Sequence, residues 1–227
     1  MSNVTINMTV DRHRSGNTRI HGKVGNNHHD VNVWKGPQPG DAYVEGEQNG
    51  QTTTLRINSA FSDTGHAVFG RLAGAQFKGN WEQESSQGDV NLSLNKARLS
   101  IDVDPDSGVT ESSGTRVQST STFTNAEKDE TLALLADGRR INFSVDRQPD
   151  GDFEIRGKSG DGAFKMKAQR RGQDGDLRIT GTIPETLAFL PVVWELYGDD
   201  SLEPPAKPLS MGAAATLSAF YANQLNG

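Results

Sequence analysis

The sequence predicts a mainly β fold: an antiparallel meander of about four repeated four-strand units that forms a curved sheet or barrel, with a C-terminal helical segment packed on it. Three observations predict it. Residues 141–181 repeat residues 6–46 without a gap, 14 of 41 positions being identical, where composition alone gives about two or three. Apolar and polar residues alternate along most of the first 182 positions, the period of a half-buried strand. After Thr182 the apolar spacing becomes helical.

The first unit spans residues 4–47. Val4, Ile6, Met8 and Val10 share one face of a strand. Arg14-Ser15-Gly16-Asn17 is a turn, and Ile20, Gly22 and Val24 mark a second strand on the same face. Gly25-Asn26-Asn27 is a tight turn. His29, Val31 and Val33 point one way in the third strand, and residues 42–46 make the fourth. Such short connections place neighbours antiparallel.

A second unit lies near 52–95. Val68 and Gly70 match Ile20 and Gly22, and Phe77, Gly79 and Trp81 match His29, Val31 and Val33. A drifted unit occupies 97–138: a strand at 99–103, a polar loop at 104–114, a weak alternation at 116–123 and an apolar run leading into Asp137-Gly138, a hairpin signal. The last unit is 139–182. About 14 strands in all are expected before the helices.

From 184 onward the chain should be helical and dependent on the β domain of residues 1–183. Pro184 and Glu185 resemble a helix start. Leu187, Leu190, Val193, Trp194 and Tyr197 recur at helical spacing, with Pro191 expected to kink or split the run. Residues 199–209, with three prolines, read as an extended linker. Residues 211–225 are a second helix, with Leu217, Phe220, Tyr221 and Leu225 on one side. The sheet is expected to curl round the apolar helix or lay one face on it. The alternative architecture is a pseudo-symmetric β-trefoil, prism or small propeller. In outline, a β-barrel followed by a C-terminal apolar helix, the chain resembles the tubby-type barrels; no function and no residue role comes with that likeness.

Composition narrows function by exclusion. The net charge is −6 and the mean hydropathy −0.63, which argues against a nucleic-acid partner. The densest basic patch, Lys165, Lys167, Arg170 and Arg171, is flanked by Asp161, Asp174 and Asp176 and reads as a solvated strand face. There is no cysteine, so disulfides, thiolate metal sites and cysteine nucleophiles are excluded. No stretch approaches the about 18 apolar residues of a membrane-spanning helix, and the N-terminus lacks the features of a signal peptide. A cytoplasmic location is the expectation.

Residues shared between units are read as scaffold and residues peculiar to one unit as candidates for function. Gly-Asp at 40–41, 88–89 and 175–176 is a turn. The repeated polar pairs Asp11-Arg12 and Asp146-Arg147 are either a repeated ligand site or strand-edge ion pairs. His13, His21, His28 and His29 cluster in sequence, but no carboxylate completes a metal set. Asp102, Asp104 and Asp106 resemble the start of a calcium loop that lacks its glycine and glutamate. No metal and no cofactor are expected. The ligand-binding candidates are His28, His29, Trp34 and Trp81, with Trp81 on the core face and Trp34 on the other, covered by the C-terminal helices or free as a platform. Segment 104–124 and the helical tail are further seats of function. No nucleophile elbow, phosphate loop or dinucleotide fingerprint is present. The expected function is a non-catalytic binding or assembly module for an unknown protein or small molecule, compatible with self-association. The alternative is a β-barrel enzyme or carrier of a small apolar ligand, with a pocket at the barrel mouth lined by His29, Trp34 and Trp81.

Overall fold

The strands close on themselves. The computed structural model describes residues 2–13, 15–38, 41–62, 65–83, 89–104, 107–124, 129–172, 175–197 and 210–225, with backbone only at 59–62, 65–66, 81, 83 and 197. Within it run sixteen strands: β1 (Asn3–Arg12), β2 (Thr18–Val24), β3 (Asn27–Lys35), β4 (Ala42–Gln48), β5 (Gln51–Ser62), β6 (Gly65–Leu72), β7 (Ala75–Gln83), β8 (Val90–Leu94), β9 (Ala97–Asp104), β10 (Val109–Gly114), β11 (Val117–Phe123), β12 (Glu130–Ala136), β13 (Arg139–Arg147), β14 (Phe153–Ser159), β15 (Gly162–Arg171) and β16 (Asp176–Pro184). Each pairs antiparallel with the next, and β1 pairs with β16 from Asn3↔Pro184 to Val10↔Leu177. The result is a closed barrel, which leaves no sheet edge. Two more strands are present than the sequence suggests. One is β10, where a polar loop is expected; its inward residues are Thr110 and Ser112, so no apolar period announces it.

Alternation decides what faces where. Ile6, Met8 and Val10 are buried inside, while Asn7 and Thr9 lie outside. The same holds for Phe164, Met166 and Ala168 against Lys165 and Lys167. The apolar face is thus the lumen and the polar face the exterior, the reverse of a lipid-facing barrel.

The two ends differ. At the lower end, after even-numbered strands, two-residue turns dominate. Asn49-Gly50 and Asp137-Gly138 have positive φ at both residues, the geometry whose twist matches paired strands. At the upper end, after odd-numbered strands, connections are longer. Glycines also set the curvature. Gly22 faces Met8 and Gly46 faces Val31 across the ladder, and a Cβ on either would run into the backbone carbonyl of Asn7 or Asp30. Only glycine lets these neighbouring strands coil so closely.

The lumen is filled by the C-terminal chain. β16 ends at Pro184, and a 3-10 turn follows at Glu185–Leu187. Helix α1 (Leu190–Tyr197) begins one residue before Pro191. Pro191 therefore sits in a first turn, where its missing N–H costs little; the break precedes it. The linker expected at 199–209 lies outside the described residues. Helix α2 (Met211–Leu225) starts at the upper end, where Gly212 N–H donates to Glu130 Oε1 at 2.7 Å. It ends at the lower end, where Asn223 Nδ2 donates to the Arg116 carbonyl at 3.3 Å. Fifteen residues span about 22 Å. Every residue from Met211 to Asn223 is buried, the mark of a helix covered on all sides rather than along one stripe. The sheet curls round the helix.

This placement explains the polar inward residues of β10 and β11. Helix α2 lies against β10, β11 and β12. On β10 and β11 most inward positions are small and polar, Thr110, Ser112, Ser119 and Ser121, where other strands carry Ile, Val or Phe. Small side chains give the helix room. The helix answers with Gly212, whose added Cβ would strike Ser121 and Glu130, and with Thr216, whose hydroxyl is 2.7 Å from that of Ser119.

Candidate functional site

The repeated polar pairs are at the upper rim, and their arginines hold α1. Arg12 Nη2 donates to Glu195 Oε2 at 3.1 Å, and Thr18 Oγ1 donates to Glu195 Oε1 at 2.6 Å. Arg147, at the matching position, places its guanidinium 5.4 Å from the centre of the Trp194 ring, within cation–π range. Their backbone N–H groups are also taken: Arg12 N–H by Asp176 and Arg147 N–H by Asp129. Asp11 accepts from or pairs with His21 at 2.8 Å, and Asp146 accepts from Gln148 Nε2 at 2.8 Å.

Two aspartates of the Gly-Asp pairs work in the same way. Asp89 accepts the Val103 N–H at 2.9 Å, and Asp176 the Arg12 N–H at 2.8 Å. Gly40 and Gly88 lie outside the described residues. Asp104 accepts from Ser107 Oγ and closes its own turn; Asp106 is not described. Of the basic patch, Lys165 and Lys167 meet Glu154 at 3.0 and 3.3 Å, and Arg156 joins them. Burial works against ionisation of Glu154, but the hydrogen bonds from Lys165, Arg156 and Lys167 overcome it and hold the carboxyl at about 2.

The ligand-binding candidates do not converge. His29 is buried and faces the lumen near the lower end. Its Nδ1 is 3.2 Å from Gln48 Oε1, Gln48 Nε2 donates to Thr53 Oγ1 at 3.1 Å, and that oxygen accepts the Ala73 N–H at 3.0 Å. Burial pushes the imidazole below its ordinary value, and the Gln48 contact only partly opposes it. His29 is buried in the lumen, as Phe77 and Phe164 are. His28 points the opposite way and is exposed. Trp34 is half-buried on the outer face near the upper end, in register with Tyr43. The helices lie in the lumen and so do not cover it. Trp81 lies in β7 in register with His66 and Leu92, but its side chain is outside the described residues.

Among the described residues, space inside is scarce. The gap between α1, Val10, Phe153 and Met211 holds about 10 Å³, less than the share of volume one water takes in the liquid. The larger recess is outside. It measures about 630 Å³ and crosses β7 to β10. Two rows of outward side chains build it: Asn80, Ser93 and Arg98 in one, Asn91, Ser100 and Ser113 in the other. With Glu82, which stands beside Asn91 in the second row, these are amides, hydroxyls, a guanidinium and a carboxylate, suited to hydrogen-bonding a polar ligand and not to holding an apolar one. None was singled out in the sequence, because each is an ordinary polar alternate of its strand; Ser113 alone falls in the drifted segment. No protein-family model, no curated protein and no solved structure matches this chain.

Proposed function

We propose that the chain is a non-catalytic binding or assembly module, built on a repeated four-strand β scaffold, that engages its partner from the outer face of the barrel. The observation that supports this reading is the filled lumen. A pocket for a small molecule usually holds about 300 Å³ or more, and the gap beside α1 holds about 10 Å³. Among the described residues, recesses of ligand size lie outside, the polar one on β7–β10 measuring about 630 Å³. Titration with a fluorescent long-chain fatty acid tests it. The reading expects no saturable uptake. Saturable uptake of one molecule per chain, abolished by Met211→Trp beside the gap, would overturn it in favour of a carrier.

A further inference from the structure

The two ends of the barrel carry opposite charge. At the upper end, six connections each bring an aspartate, Asp41, Asp89, Asp104, Asp129, Asp150 and Asp176, outnumbering the exposed cations Lys35, Arg170 and Arg171 of the same end. Several spend their carboxylate on backbone N–H groups, as Asp89 and Asp176 do. At the lower end, six cations, Lys23, Arg71, Lys96, Arg98, Arg140 and Lys158, stand around the rim beside Arg139 and the carboxylates of Glu47 and Asp161. All six are exposed, and none makes an ion pair with a described residue. The Arg116–Asp137 pair between them is already neutralised. A ring of cations without an ion pair among the described residues, on a chain of net charge −6, is a local reversal of the overall field, and such a reversal steers partners of the opposite sign.

We infer that the barrels associate end to end, the aspartate rim of one copy docking on the cationic rim of the next. The inference rests on the assembly form of the function proposed above. The partner is a second copy because the chain itself presents the complementary ring on a closed barrel of the same cross-section. The two surfaces are different, so the contact is heterologous and leaves a free acidic end and a free basic end on every oligomer. Growth is therefore open-ended. Exposed charges govern it, so added salt weakens it.

Sedimentation velocity of the full chain over a concentration series, at low and at high salt, tests this. The expected result is a sedimentation coefficient that rises with concentration at low salt and returns to the monomer value at high salt. Arg98→Glu with Arg140→Glu removes the basic rim, and Asp104→Lys with Asp150→Lys the acidic rim. Each double variant alone is expected to sediment as a monomer. Their equimolar mixture is expected to associate again at low salt, since one variant is acidic at both ends and the other basic at both ends. Circular dichroism melts check that the variants fold, and Asp146→Lys replaces Asp104→Lys if the latter does not. A wild-type monomer at every concentration in low salt overturns the inference, as does association that neither pair of reversals changes. Either failure leaves the fatty-acid test of the binding module unaffected, so the two readings fail separately.

Discussion

The hydroxyl of Ser119, on β11, lies 2.7 Å from the hydroxyl of Thr216, on α2, inside the barrel. Thr216 also donates to the Gly212 carbonyl at 2.8 Å. One strand that lost its bulky inward residues thus meets one helix that did the same. Larger side chains at this seam should overpack it. Gly212→Val is expected to cost about 1–3 kcal/mol, read as a lower urea midpoint. An unchanged midpoint would show that the helix does not lie so close.

Curvature makes a second prediction. Gly46 has φ +156°, and its Cβ would meet the Asp30 carbonyl, whereas nothing lies within 4 Å of a Cβ on Gly160. Gly46→Ala should therefore cost at least about 2 kcal/mol. Gly160→Ala should stay within about 0.5 kcal/mol of wild type. Equal effects in denaturant titrations would contradict the account of the barrel corner.

Glu130 predicts a pH dependence. Burial raises its carboxyl above the ordinary value of 4.5; bonds from Gly212 N–H, Ser121 and Ser210 and the charge of Arg147 oppose the rise without cancelling it. The folded state therefore favours the protonated acid. Its benefit is present below pH 4.5 and is lost as pH rises through the folded value. Glu130→Gln keeps an acceptor for Gly212 and does not titrate. The stability of wild type relative to this variant should fall as pH is raised from 4 towards 7. His29 slopes the other way, because its imidazole is lowered by burial. Its contribution is present above 6.5 and is lost as pH falls through the folded value. His29→Gln should flatten that slope in the same melts.

The rim clamp can be weighed by a double-mutant cycle. Glu195 is almost buried and takes bonds from Arg12 and Thr18. Arg12→Ala strands part of that charge and should cost about 1–3 kcal/mol. Arg12→Ala and Glu195→Ala together should show a coupling of about 0.5–3 kcal/mol. A coupling near zero in chemical denaturation would mean that α1 is not held through this pair.

Much of this fold was legible in the sequence, for identifiable reasons. Ile6, Met8 and Val10 alternate because one face is wet and the other is not, and the same period set the faces of His29 and Trp34. The repeated glycines announced tight backbone. What alternation cannot show is where small polar residues point inward. Thr110 and Ser112 hid β10, and their meaning depends on a helix about a hundred residues away. Likewise α2 shows an apolar side at Leu217, Phe220 and Tyr221, but its alanines and serines are buried by a barrel that only the tertiary fold supplies. The outer recess left no trace, since Asn91, Arg98 and Ser100 are what any solvated strand face presents.

The central claim is that α2 runs through the lumen, with Tyr221 stacked edge-on against Phe77 of β7 at 5.7 Å between ring centres. Hydrogen exchange of individual amides tests it most directly. If the helix is enclosed, the amides from 215 to 222 exchange only through global unfolding, at the rate of the slowest strand amides and with the same dependence on denaturant. Rapid exchange of these amides while β1 and β16 remain protected would contradict it.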